Sequence, residues 1–273
     1  NVAIGHKALD ANTTASNNTA VGKDSLGANT TGTENVALGF NALDANTVSN
    51  YNTAVGSQSL GTNTGASNTA VGRAALFGNT TASNNTAVGY NALLDNTTGA
   101  QNVAIGAQAL DANTTADNNT AVGYNSLSAC TTGDLNVAVG SNALATNTVG
   151  DRNVAFGHNA LTSFNPASKS DTYNAAFGLN SLFGCTTGTS NTAIGGLTLE
   201  ANTTASNNTA CGYAGLFANT TGQFNTAVGS NSLAANTTAS NNTGLGYVAL
   251  NSNTTGASFT SVAGVIPDSS AAV

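Results

Sequence analysis

The sequence predicts an all-β protein, a parallel β-solenoid (β-roll) of about fifteen 17-residue coils. Three observations predict it. One text, Asn-x-Ala-apolar-Gly, returns at a nearly fixed period through most of the 273 residues. The run Thr/Val-Ala-Val/Ile near the start of most repeats is β-rich. Gly, Asn and Thr stand where a helix would want Ala, Leu or Glu, and 17 residues cannot hold two helices with their turns.

The opening Asn falls at 1, 18, 35, 52, 68, 85, 102, 119, 136, 153, 174, 191, 208, 225 and 242. The spacing is 17 except for 16 between Asn52 and Asn68 and 21 between Asn153 and Asn174. A fixed period of this size marks stacked supersecondary units. Counted from its Asn, every one of the fifteen units has Gly at position 5 and Leu at position 9. Gly5, Leu9, Gly22, Leu26, Gly89, Leu93, Gly106 and Leu110 typify this structural ladder. Position 3 is Ala except at Gly244, position 4 is Val, Ile, Leu or Phe except at Cys211, and position 8 is small. Position 12 is usually Asn, with Thr after it.

Positions 2 to 4 read as a short strand, so 2 and 4 share one face, and Ala at 3 shares the other with Gly at 5. The Gly ends the strand where the chain bends or a neighbour comes too close for a Cβ. Asn at 1 and 12 suits turns, and identical Asn stacked coil on coil form hydrogen-bonded ladders. Positions 4 and 9 are expected to be buried. Two sizeable apolar side chains per coil fall short of the entropy lost in ordering 17 backbones. The Ala/Gly face is therefore expected to pack on another chain, as a homo-oligomer with cyclic symmetry.

At about 4.8 Å per rung the stack would run roughly 70 Å. The solenoid is expected over residues 1–258, with the long unit bulging a loop at 162–173. Beyond it the pattern decays: Phe259 stands where Asn is due, Val262 keeps the apolar slot, and 259–273 reads as a degenerate cap or the start of a following module. Asn1 already lies inside a repeat, so the chain reads as a segment of a longer or processed protein.

Composition excludes several function classes. Charged residues make up 6% of the chain and the net charge is −7. Five Lys and Arg cannot build the basic stripe that nucleic acid needs. No run of 18 apolar residues offers a membrane span. Three cysteines imply no disulfide framework. Cys130 and Cys185 both occupy position 12, three rungs apart, which is about 14 Å and beyond disulfide reach. They read as small buried replacements for Asn, and Cys211 at position 4 reads as core.

Catalytic chemistry finds little footing. His6 and His158 both sit at position 6, nine rungs apart. The acidic residues are scattered, with Asp10, Asp44 and Asp111 at position 10 on non-successive rungs. The text Val-Gly-Tyr-Asn-Ala-Leu fits a hexapeptide acyltransferase, but such a coil needs three consecutive hexads. No enzyme activity, cofactor or metal is expected.

Asn-x-Thr sequons occur 14 times. Nine fall at position 12 (Asn12, Asn29, Asn79, Asn96, Asn113, Asn202, Asn219, Asn236 and Asn253) and five at position 17 (Asn17, Asn84, Asn118, Asn207 and Asn241). They are candidate N-glycosylation sites. The competing reading is that an Asn/Thr-rich repeat writes sequons by chance and uses these Asn in ladders. A Thr file at positions 13 and 14 is reminiscent of ice-binding solenoids, but Val48 and Val149 break it, and interior Thr stacking accounts for it. Tyr90, Tyr124, Tyr213 and Tyr247 at position 6, with Phe77, Phe183 and Phe217 at position 10, are exposed aromatics available to a partner or saccharide.

The unit Asn-[Thr/Val]-Ala-[Val/Ile]-Gly-x-x-[Ala/Ser]-Leu resembles the head repeats of YadA-like trimeric autotransporter adhesins over residues 1 to about 258. It is also similar to repeat arrays of phage and bacterial tail-fibre-type proteins. The resemblance implies a left-handed parallel β-roll assembled as a homotrimer. The implied function is a non-enzymatic structural or adhesive fibre segment, extracellular, at the cell surface or in a virion tail fibre, with a cell-surface or saccharide receptor. The alternative is a subunit of an N-glycosylated extracellular filament polymerised end to end.

Overall fold

The computed structural model describes residues 1–262; the remainder of the expected cap or following module, 263–273, lies outside the described residues. Among the described residues there is no helix. The chain divides into two compact units, Asn1–Val149 and one that begins at Gly150.

The first unit holds nine three-residue strands: β1 (Val2–Ile4), β2 (Thr19–Val21), β3 (Val36–Leu38), β4 (Thr53–Val55), β5 (Thr69–Val71), β6 (Thr86–Val88), β7 (Val103–Ile105), β8 (Thr120–Val122) and β9 (Val137–Val139). Each pairs in parallel with the next, and the register sets Ala on Ala, from Ala3 with Ala20 to Ala121 with Ala138. The second unit holds β10 (Gly150–Asp151), β11 (Val154–Phe156), β12 (Ser170–Asp171), β13 (Ala175–Phe177), β14 (Thr192–Ile194), β15 (Thr209–Cys211), β16 (Thr226–Val228), β17 (Thr243–Leu245) and β18 (Thr260–Val262). There β11 and β13 to β18 stack in the same way, and β10 pairs separately with β12. Each unit is thus a parallel β-solenoid built on the 17-residue repeat. Pairing reaches β18 although the Asn-led text has lapsed, because the Phe259 N–H still donates to Asn242 Oδ1 at 2.9 Å and needs no side chain of its own.

The strand faces are the reverse of the expectation. Ala at position 3 points inward and is fully buried from Ala20 to Ala227. Position 4 points out: Ile4 is 60% exposed, Leu38 45% and Ile105 40%. The reason is cross-section. The coil interior already holds Leu at position 9, Ala or Ser at position 8 and two Asn side chains, so the inward strand position has room for one methyl group. Alternation along the strand then sends the branched residues outside.

Gly at position 5 behaves as the sequence predicts. At Gly89 φ is +142°, and an added Cβ would lie 2.5 Å from the Gly106 carbonyl oxygen. The left-handed turn residues, however, are not the Asn at 1 and 12. They sit at positions 7, 9 and 17, and position 9 is always Leu, with φ from +50° to +55°; examples are Leu26 at 51° and Leu93 at 54°. A left-handed residue other than Gly costs about 1–2 kcal/mol. Here the Leu26 N–H donates to Ala42 O at 2.9 Å, its carbonyl accepts the Asn29 N–H at 3.3 Å, and its side chain is fully buried. The unusual backbone directs the largest core side chain inward while keeping both backbone groups paired.

The two irregular coils keep the stack. In the 16-residue coil Gly65 takes the place of position 15, and its carbonyl accepts from Asn52 and Asn63 at 2.9 and 2.8 Å. In the 21-residue coil Phe164 replaces the position-12 Asn and is fully buried. The inserted chain then returns through β12, which leaves Val154 in register with Ala175.

Candidate functional site

Two Asn ladders run inside the coils. Asn at position 1 accepts the next coil's backbone N–H, as Asn85 Oδ1 does from Asn102 N at 2.9 Å. Its amide donates to the carbonyl at position 15, as Asn85 Nδ2 does to Gly99 O at 2.9 Å. Asn at position 12 donates to that same carbonyl: Asn96 Nδ2 reaches Gly99 O at 2.9 Å and also Asn79 Oδ1 at 2.8 Å. Such saturation is what a buried amide demands.

This splits the sequons. Asn29, Asn79, Asn96, Asn113, Asn202, Asn219 and Asn236 are fully buried, and Asn12 and Asn253 are half-buried. The position-12 expectation is therefore corrected: these amides are structural, and a sugar on the buried seven would have to enter the coil. The position-17 set, Asn17, Asn84, Asn118, Asn207 and Asn241, is exposed on left-handed turn residues.

The Thr file is also corrected. Positions 13 and 14 lie at the surface, and the position-13 hydroxyl donates to the next coil's carbonyl, as Thr97 does to Thr114 O at 2.8 Å. Cys130 and Cys185 are buried, with their thiols directed at Gly133 O and Gly188 O at 3.3 and 3.5 Å. Burial pushes the Cys185 thiol up to about 11. Cys211, expected in the core, is half-buried on the outward face, because position 4 points out.

The surface that the sequence did not reveal is the outer face of the sheet. Positions 2 and 4 carry no charged residue in any coil. In the first unit the face exposes Val2, Ile4, Val36, Leu38, Val71 and Ile105; in the second it exposes Phe156, Phe177, Ile194 and Val228. Phe156 and Phe177 stack with centroids 6.3 Å apart. The signal available in the sequence was that uncharged file, read onto the wrong face.

The insert contributes a second surface feature. Arg152 Nε donates to Asp171 Oδ1 at 2.7 Å, and Tyr173 OH to Asp171 Oδ2 at 2.8 Å. These bonds, the Tyr173 one foremost, hold the Asp171 carboxyl below its ordinary range. All three side chains are exposed. The position-6 tyrosines are exposed but not gathered: Tyr90 and Tyr124 are two coils apart, as are Tyr213 and Tyr247. Arg73 lies 5.6 Å over the Tyr90 ring. His6 and His158 are exposed. Among the described residues no group of three or more His, Cys, Asp or Glu could hold a metal ion, and no helix is long and apolar enough to cross a membrane.

The chain matches no protein-family model, no curated protein and no solved structure.

Proposed function

We propose that this chain is a non-enzymatic, extracellular structural or adhesive fibre segment that works as a homo-oligomer. The observation that carries the reading is the uncharged, β-branched outer face of the sheet, repeated strand after strand within each unit. An uncharged surface of this kind, apolar at position 4 in every coil and Val, Ala or Thr at position 2, marks an interaction site. A second copy is the partner that fits it best. It offers the same rung spacing, the same outward file and no unpaired charge, so the contact extends along the coils in register. Cyclic symmetry closes such a contact without leaving an apolar face free. The resemblance to trimeric adhesin head repeats supplies the number three. The Ala that the sequence offered for this role is used up inside the coil and the Gly packs on the Gly of the next coil, so positions 2 and 4 take the role over.

The reading is tested by the mass of the native particle under non-denaturing conditions. A particle of three chains is the expected result; a single chain under those conditions overturns it. A second reading, a subunit of an N-glycosylated extracellular filament, draws its support from the exposed position-17 asparagines.

A further inference from the structure

We propose that each folded unit is N-glycosylated at position 17 only, with Asn17, Asn84 and Asn118 as the acceptors in the first unit, Asn207 and Asn241 in the second, and the position-12 sequons excluded. The proposal rests on the extracellular reading, since the modification requires export.

Three observations separate the two sets. The first is access. The five position-17 side chains are exposed, whereas Asn29, Asn79, Asn96, Asn113, Asn202, Asn219 and Asn236 have no exposed surface. The second is the state of the reacting atom. Position-12 Nδ2 atoms are already donors, as Asn113 Nδ2 is to Asn96 Oδ1 and Ala116 O at 2.6 and 3.1 Å. Among the described residues no side-chain hydrogen bond engages the position-17 amides. The sequon threonines that follow them, such as Thr19 and Thr86, lie half-buried on the outward strand face, which the proposed oligomer covers, so the transfer precedes assembly. The third is spacing. Position-12 sequons crowd adjacent coils, at Asn79, Asn96 and Asn113 and again from Asn202 to Asn253. The position-17 acceptors never do. They fall in coils 1, 5 and 7 of the first unit and coils 12 and 14 of the second, so neighbours within a unit are at least two coils apart. At the rung spacing that is about 9–10 Å, room for separate glycans.

The donor is a lipid-pyrophosphate-linked oligosaccharide. The Asn Nδ2 attacks C1 of its first sugar and an N–C1 bond forms. The C1–O bond to the pyrophosphate breaks, the electron pair leaves with the lipid pyrophosphate, and the amide proton passes to the transferase's base.

The test is site-by-site glycopeptide mapping of the full chain isolated folded from the cells that make it. It is paired with an acceptor assay using an oligosaccharyltransferase and its lipid-linked donor on folded and urea-unfolded chain. Sugar on the position-17 set and none on the seven buried asparagines is expected in native material. In the assay the folded chain should accept only at position 17, and unfolding should open position 12. Sugar on any of the seven in folded chain, or an unmodified position-17 set in native material, overturns the proposal. Asn84→Gln and Thr86→Ala each remove one sequon by a different atom and should each delete that one glycan. Oligomer mass is read separately. A glycosylated single chain leaves this proposal standing and sinks the fibre oligomer, and an unglycosylated trimer does the opposite.

Discussion

Asn113 donates its amide to Asn96 Oδ1 at 2.6 Å, yet its own buried Oδ1 has no partner, because the next coil carries Cys130 at that position. In most other coils the equivalent oxygen is filled by the next Asn, as Asn219 Oδ1 is by Asn236 Nδ2 at 2.9 Å, although Asn12 and Asn46 Oδ1 are open as well. A buried acceptor left open costs about 1–3 kcal/mol. Cys130→Asn should therefore stabilise the solenoid by about 1 kcal/mol, measured by urea unfolding against the parent chain. Asn96→Ala should do the reverse by several times as much, since it strips Asn79 Oδ1 of its partner and the Asn113 amide of one of its two acceptors. Equal stabilities for the Cys130→Asn chain and its parent would mean the ladder carries no net energy.

The position-5 and position-8 glycines should respond in opposite ways. In Gly89→Ala the methyl meets Gly106 O at 2.5 Å with φ at +142°, and neither backbone can yield without breaking the coil register. A loss of about 3 kcal/mol or more is expected, the range of strained or overpacked positions. Gly215 stands where other coils carry Ala, Ser or Thr, and its added Cβ would find nothing closer than the Ala210 methyl at 3.5 Å. Gly215→Ala should be neutral or stabilise by about 0.5–1 kcal/mol, through a less flexible unfolded chain. Thermal midpoints of the two variants decide the point, and similar losses at both sites would show that the close approach at position 5 is not what constrains it.

The period, the strand and the glycine were legible because each is written by residue type at a fixed place. The side of the strand that faces inward was not. Alternation says that Ala20 and Val21 point oppositely, but hydrophobicity alone assigns Val to the core. The deciding fact is how narrow the coil becomes once Leu26, Ser25, Asn18 and Asn29 are inside it. That is a property of the closed turn. The turn in turn depends on left-handed backbone at Leu26 (φ 51°), where residue propensity argues against it. The two sequon sets could not be told apart in the sequence for the same reason. Asn96 and Asn84 look alike as Asn-x-Thr, and only the folded coil separates a ladder amide from an exposed one.

Acid should stabilise the first unit through two carboxyls. Burial raises the Asp44 carboxyl above its ordinary value, with Asp24 adding repulsion, and burial likewise raises Asp111. A carboxyl raised in the fold binds its proton more tightly folded than unfolded. Its charge therefore works against the fold at neutral pH, and stability rises as pH falls through the carboxylate range. Asp171 runs the other way, since its lowered value stabilises the second unit above the unfolded range and that support is lost on acidification. The expected outcome for Asp44→Asn with Asp111→Asn is a higher unfolding midpoint at neutral pH and a smaller gain on acidification. A double variant less stable than its parent at neutral pH would contradict the sign.

The outer and inner residues of one strand offer the sharpest separation of folding from assembly. Ile105 is outward and exposed, while Ala104 beside it is fully buried against its neighbours in the stack. Leu38→Glu with Ile105→Glu puts a charge in two coils of the outer face without entering the interior. Exposed substitutions of this kind change monomer stability by about 0.5 kcal/mol or less. In the proposed oligomer each charge would be buried unpaired at every copy of the interface, a penalty of several kcal/mol that cyclic symmetry multiplies. The double variant should keep the β-rich circular-dichroism spectrum of the parent and run as a single chain by light scattering. Ala104→Leu should act the other way and damage the fold itself, because the inward slot holds one methyl group and overpacking costs about 1–3 kcal/mol or more. A Leu38→Glu, Ile105→Glu chain that still assembles to the parental mass would show that copies meet elsewhere, and the outer sheet face would lose its role.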